Sequence, residues 1–199
     1  MSEDANTMQD NKTEGEAPKV RNKSHAIVEW ILILVCALFC SVLIRKFVVD
    51  VYIIPTESMT TTIVPGDRVF GDKVTYHFRS PERGEVVTFA DPLDKSVTFV
   101  KRCIAVAGDE VDIRDGSLYV NGELQEEDYV LHRPSYPLIE ADGVEHIEYP
   151  YVIPEGTIWV MGDNRTNSND SRYFGPVPIE SVSSRGMCVF WPIEHAHGL

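Results

Sequence analysis

SVTFVKRCIAVAGDEVDIRDGSLYV, residues 96–120, carries no helical period. Ser96–Arg102 is a β-branched and aromatic run, which suits a pleated, half-buried strand. Val111–Arg114 and Ser117–Val120 flank Asp115-Gly116, the dipeptide of a tight hairpin turn, and Asn121-Gly122 supplies a second turn directly after it. The same signature extends outward in both directions. Asp67–Tyr76, Glu85–Phe89, Thr157–Met161 and Met187–Trp191 are further strand-like runs bounded by Gly, Pro and Asp. Residues 123–156 are acidic, contain Pro and Tyr, and lack periodicity; they read as irregular chain on the β-core, within an insertion spanning about 115–156. The expectation is a mainly β domain over residues 47–199.

Upstream the pattern changes. Ala26–Ile44 reads AIVEWILILVCALFCSVLI, with Glu29 as its only charge. As a helix this run rises about 28 Å, close to the ~30 Å hydrocarbon core of a bilayer. A buried core helix would show water a polar face, and this run has none. A cleaved signal peptide would need a short basic leader and a small-residue cleavage site, and Arg45–Asp50 offers no such site. The reading is one uncleaved transmembrane anchor, residues 26–46, behind a disordered tail, residues 1–25. Lys12, Lys19, Arg21 and Lys23 before the span outnumber Arg45 and Lys46 after it. That bias places the N-terminus in the cytoplasm and the β domain outside, in a single-pass plasma-membrane topology.

Composition narrows the function classes. The 199 residues carry 31 acids against 18 bases, for a net charge of −13. Nucleic acid is a poor partner for such a chain, since phosphate backbones reward clustered Lys and Arg. Six histidines are scattered, and His195-x-His197 has no further ligands nearby, so no metal and no cofactor is expected. Cys103 and Cys188 are the soluble part's thiols, and either a disulfide or two buried free thiols fits them.

Three segments interrupt the strands with polar chemistry: Pro55-Thr56-Glu57-Ser58-Met59, Lys101-Arg102 inside an apolar run, and residues 161–175, MGDNRTNSNDSRYFG. Singly, each has a plain reading as a turn serine, an edge-strand cation and a solvated loop. Together they resemble type I signal peptidases, membrane-anchored Ser–Lys proteases that remove signal peptides from exported proteins. The resemblance covers Trp30 to Pro192. Its most specific element is Gly162-Asp163-Asn164-Arg165-x-Asn167-Ser168-x-Asp170-Ser171-Arg172. Gly66-Asp67-Arg68-Val69 and Gly108-Asp109-Glu110-Val111 match two further family stretches. This chain departs from the family in two places. A proline common just after the Ser-Met step is missing from Ser58–Ile63, and Ala105-Val106-Ala107-Gly108-Asp109 lacks the usual Gly-x-Pro-Gly-Asp.

The resemblance implies a signal-peptidase-like β catalytic domain with a small β insertion. Ser58 would be the nucleophile, taking the substrate acyl group in an acyl-enzyme, and Lys101 the general base. Thr56 would complete an oxyanion hole with the Ser58 N–H, and Ser168 would orient the lysine amine. Asp170 and Arg172 would hold the loop as an ion pair, and Arg102 would be structural support. The partners implied are preprotein signal peptides with small residues before the cut, the lipid bilayer and the protein-export machinery. Ser58 lies 14 residues beyond Ile44, a link of at most about 50 Å, so the anchor holds the nucleophile near the bilayer surface. There a membrane-embedded signal peptide meets it at raised effective concentration. Two other readings remain open: a catalytically inactive anchored paralogue that binds partners, and a cell-surface adhesion domain glycosylated at Asn164-x-Thr166 and Asn169-x-Ser171.

Overall fold

The computed structural model describes residues 23–92, 94–130, 134–137 and 147–199. The expected disordered tail lies almost wholly outside them. The described residues fall into two compact units, one ending at Ser41 and the other beginning at Val42. The apolar run is a helix, α1 (Lys23–Phe47), longer than the sequence pattern alone suggests. Every side chain from Ile27 to Phe47 is exposed, so over these residues the helix buries no face against the other described residues. Ile27–Phe47 is long and apolar enough to cross a membrane, which fits membrane anchoring.

The rest is mainly β. The strands are β1 (Val49–Ile53), β2 (Arg68–Asp72), β3 (Val86–Ala90), β4 (Thr98–Val106), β5 (Glu110–Arg114), β6 (Ser117–Val120) and β7 (Glu123–Leu124). They continue with β8 (Tyr151–Val152), β9 (Thr157–Met161), β10 (Val177–Pro178), β11 (Val182–Trp191) and β12 (His197–Gly198). One short helical turn, α2 (Ser171–Phe174), precedes β10. The larger sheet runs β1-β2-β11-β3-β4-β9-β10, with β12 paired to β11; a smaller sheet runs β7-β6-β5-β8. All pairs are antiparallel. Register shifts along β11, at Val182/Ser184, Gly186/Cys188 and Val189/Trp191, and along β4, at Cys103/Ala105, are bulges of the kind that curl a sheet.

Strand alternation sorts the core. On β9, Ile158 and Val160 join Val87, Phe89 and Cys103, while Trp159 and Met161 face Val111, Leu118 and Val120 of the smaller sheet. Each fully buried aliphatic side chain contributes about 1.5–3 kcal/mol. The Asp115-Gly116 hairpin forms, with both residues at positive φ, as do the Asn121 and Gly122 positions of the next turn.

Some boundaries differ from the sequence pattern. β2 stops at Asp72 because its carboxylate accepts from the backbone of Val74 (2.7 Å) and also binds the Thr75 hydroxyl, turning the chain into a 3-10 turn. β11 begins at Val182, five residues before the apolar run. Its polar Ser184 is buried and shares a 2.7 Å hydrogen bond with Thr88.

Gly71 of β2 allows that cluster to pack. A Cβ there would collide with Ser184 Oγ and lie 2.7 Å from the Tyr52 ring. Gly71→Ala is therefore expected to destabilise the protein by about 1–3 kcal/mol in urea unfolding, with partial recovery in the Gly71→Ala/Ser184→Ala double variant. An unchanged midpoint for Gly71→Ala would contradict this packing.

Candidate active site

The segment joining β1 to β2 carries Ser58. Ile54, Met59 and Ile63 sink into a core with Val69, Val86 and Val189. Backbone bonds from Thr60 to the Glu57 carbonyl (3.0 Å) and from Ile63 to the Met59 carbonyl (2.9 Å) wind residues 57–63 into turns. With Met59 committed inward, the preceding Ser58 stands at the mouth of a cleft, 8% exposed. The missing proline leaves no gap in order here. Thr61 Oγ1 donates to the Tyr129 carbonyl (2.9 Å) and Thr62 Oγ1 donates to Asp163 (2.5 Å), so side chains fix what ring geometry would otherwise restrict. The second departure also closes, since Gly108 takes positive φ and the Asp109 carboxylate accepts from the Val106 N–H (2.9 Å).

Lys101 comes from the middle of β4, opposite Val87, and is 4% exposed. Its Nζ donates to Ser58 Oγ at 2.7 Å and to the Val100 carbonyl at 3.2 Å, and lies 5.1 Å from the centre of the Phe99 ring. Burial pushes the amine down to about 8 from the ordinary lysine value of 10.5, and the negative charges of Asp170, Asp163 and Asp91 only partly oppose it. Thr56 Oγ1 sits 3.3 Å from Ser58 Oγ. Around the pair is a cavity of about 380 Å³ lined by Tyr52, Ile53, Pro55, Val97, Phe99 and Asn167, among others.

The loop after β9 closes the far side. A Cβ on Gly162 would collide with both Ser168 Oγ and the Ser58 carbonyl, so only glycine admits this approach. Asn164 N–H donates to the Ser58 carbonyl (3.0 Å) and Asn164 Nδ2 to the Glu57 carbonyl (3.1 Å). Arg102 binds Asp163 with two hydrogen bonds of 2.9 and 2.7 Å and reaches the Gly84 carbonyl at 2.8 Å. Asp170 is fully buried. Burial would raise its carboxyl, but paired bonds from Arg172 (2.8 and 2.9 Å) and the Gly162 N–H (3.1 Å) hold it below the usual carboxylate range. Ser168 Oγ is buried near Asp170 without a well-formed hydrogen bond, while the Lys101 amine bonds to Ser58 and Val100.

Of the residues expected at the site, Thr56, Ser58 and Lys101 line the cleft, while Ser168, Asp170, Arg172 and Arg102 lie in or against the loop behind it. The sequence reading did not single out Asp163 and Asn164 within the motif, because their partners lie 61 and 107 residues away in the chain. Asn164 is buried, so its sequon is not displayed for a sugar. Cys103 and Cys188 are free thiols, and burial pushes Cys103 up to about 12, where it is inert. His195 Nδ1 lies 2.8 Å from the buried Asp67 carboxylate.

Comparison with known proteins identifies the family. The family model for signal peptidase, peptidase S26, matches residues 27–191. Thylakoidal processing peptidase 1 of Arabidopsis thaliana is 38% identical over 166 residues, 78% of this chain and 46% of that protein, so the chain spans about half the length of this relative. Probable signal peptidase I-1 of Synechocystis is 36% identical over 174 residues, 83% of each chain. Signal peptidase I of Bacillus licheniformis is 34% identical, covering 88% of this chain and 95% of that one. A crystal structure of a signal peptidase I from Enterococcus faecalis aligns at a TM-score of 0.43 with 33% identity, over 53% of this chain and 96% of that chain. The chain belongs to the signal peptidase family, peptidase S26.

The buried amine has a stability consequence. Folded protein binds the Lys101 proton less readily than the unfolded chain does, so the cost is fully present below pH 8 and fades as pH rises toward 10.5. Lys101→Met is expected to stabilise the fold by up to about 3 kcal/mol at pH 7, with the gain shrinking by pH 10. Denaturant unfolding at the two pH values checks this; a pH-independent difference would contradict it.

Proposed function

We propose that this chain is a type I signal peptidase, a serine endopeptidase acting through Ser58 and Lys101 on exported preproteins. The observation that carries the reading is the 2.7 Å contact between Ser58 Oγ and a lysine amine pushed down to about 8 by burial. An ordinary lysine is an ammonium at neutral pH and accepts no proton. A desolvated one has a populated free amine.

In this mechanism the neutral Lys101 amine takes the Ser58 hydroxyl proton as Oγ attacks the scissile carbonyl. The carbonyl π electrons move to oxygen, where the Ser58 N–H and the Thr56 hydroxyl stabilise the oxyanion. Collapse breaks the peptide C–N bond, and the leaving amine takes the proton from Lys101. In the second half a water gives its proton to the same amine as it attacks the ester carbonyl; the acyl C–Oγ bond then breaks and Ser58 Oγ takes that proton back from Lys101, releasing the acid and restoring the enzyme. Ser168 is assigned the role of orienting that amine, supported by its burial beside Gly162 and the Ser58 carbonyl. Asp170–Arg172 and Arg102–Asp163 support the loop and offset charges that would otherwise strengthen the ammonium form.

The substrate reading follows from the cleft walls. Ile53, Pro55, Val97 and Phe99 offer apolar surface to an extended chain, suited to small residues before the cut. α1 supplies the bilayer anchor, with the N-terminus cytoplasmic, the β domain outside the plasma membrane, and the export machinery as the source of substrate. A catalytically inactive binding paralogue is disfavoured, because both departures from the family pattern fold into hydrogen-bonded turns that leave the Ser58–Lys101 contact intact.

In a detergent assay with a preprotein, Ser58→Ala and Lys101→Ala are each expected to abolish cleavage while retaining the fold. Thr56→Val is expected to lower kcat by about 10²–10³-fold with KM nearly unchanged. Because the free amine is the active form, kcat/KM should rise with pH through about 8. Wild-type cleavage by Ser58→Ala, or a flat profile between pH 6 and 9, would overturn the assignment.

A further inference from the structure

Arg165 stands in the loop after β9 with its side chain fully buried. A guanidinium taken out of water needs partners on every face, and here most come from one segment. Nη1 and Nη2 donate to the Glu127 carboxylate at 2.6 and 2.5 Å, and Nη1 also donates to Ser135 Oγ at 2.8 Å. The remaining bond goes inward, from Nε to the Gly162 carbonyl at 3.0 Å. Glu127 and Ser135 both follow β7, in the acidic stretch whose sequence carries no recognisable chemistry.

That stretch touches the other two elements of the site as well. The Tyr129 carbonyl accepts from Thr61 of the nucleophile turn (2.9 Å), and the Tyr129 ring lies 4.1 Å from the Arg102 guanidinium on the lysine strand. Tyr129 in turn donates its hydroxyl to Glu127 Oε1 at 2.8 Å. Ser135 N–H ties the segment to the Gly116 carbonyl at 2.8 Å, so it is seated on the smaller sheet.

We propose that Glu127, Tyr129 and Ser135 act together as a positioning strap, with Glu127 as its principal residue, holding the nucleophile turn, the lysine strand and the loop after β9 in mutual register. The proposal rests on the assignment of Ser58 and Lys101 as the reacting pair. The path is short. Glu127 fixes Arg165, Arg165 holds the Gly162 carbonyl, and the residues just beyond it, through Asn164, hold the carbonyls of Glu57 and Ser58. Removing the carboxylate leaves a buried cation without its anion, so Arg165 must swing out and release the Gly162–Asn164 segment. The Ser58 carbonyl then loses its tether, and displacements on the order of 1 Å at a reacting atom cost about 100-fold in rate. The smaller sheet is by this reading a working part of the catalytic apparatus.

A strap that merely neutralises Arg165 for folding would behave differently from one that positions Ser58. Three variants of the full chain separate the two: Glu127→Ala, Glu127→Gln and Glu127→Ala/Arg165→Met. Preprotein cleavage is measured well below each variant's melting temperature, with kcat and KM resolved. Glu127→Ala is expected to lose at least about ten-fold in kcat with KM within about two-fold, and Glu127→Gln, which keeps an acceptor, to fall between it and wild type. The double variant should regain melting temperature but not kcat. Recovery of both in the double variant, or wild-type kcat in Glu127→Ala, overturns the strap. If Glu127→Ala does not fold, the other two variants decide by the same criteria. Ser58→Ala, run in parallel, keeps the failures apart: cleavage by Ser58→Ala sinks the Ser–Lys assignment, whereas an inactive Ser58→Ala beside a fully active Glu127→Ala sinks the strap alone.

Discussion

An ammonium group loses several kilocalories per mole of hydration when it is buried, and Lys101 is buried against Phe99, Val100 and the turn that carries Ser58. Most features of the site can be traced to that constraint. In the proposed mechanism the amine must be dry enough to shed its proton, yet Asp163 and Asp170 lie close enough to stabilise the charged form. Each acid is answered by a bidentate arginine, Arg102 and Arg172, so the loop gains rigid ion pairs without leaving free negative charge beside the lysine. Buried pairs of this kind add little net stability, because desolvation takes back most of the Coulomb gain. What they supply is geometry, fixing a loop that has no regular structure of its own.

The β framework serves the same end. β4 presents Lys101 from its middle, where pairing with β3 on one side and β9 on the other prevents the strand from shifting. Ser58 reaches the lysine on a turn anchored by Met59 and Ile63, and Gly162 lets the third element approach the Ser58 carbonyl without a side chain in between. Three parts of the chain, separated by 43 and 107 residues, are brought into contact by one curled sheet. The apolar helix has a different task, since none of its described side chains from Ile27 onward is buried.

Much of this was legible in the sequence, for identifiable reasons. Strands such as Val86–Ala90 and Thr157–Met161 are written in β-branched and aromatic residues, and Asp115-Gly116 has few conformations other than a tight turn. β1 was not read, because Val49–Ile53 is short and follows the anchor without a break. The first half of β11 was missed because Ser183, Ser184 and Arg185 look like loop, and the burial of Ser184 is explained only by Thr88 and Tyr52 on other strands. The motifs carried the Ser58–Lys101 and Asp170–Arg172 pairings, but not the partners of Arg102, Asn164 and Arg165. A carboxylate such as Glu127 gives no local sign that it meets an arginine 38 residues later, because that contact is created by the fold.

The central claim is that burial makes the Lys101 amine a base at near-neutral pH. The most direct test is an NMR titration of the ¹³C-labelled lysine ε-carbons, with the Lys101 resonance assigned by its loss in Lys101→Met. A midpoint near 8 is the result this account requires. A midpoint near 10.5, the value of a lysine in water, would show that the amine stays charged beside Ser58 and would contradict it.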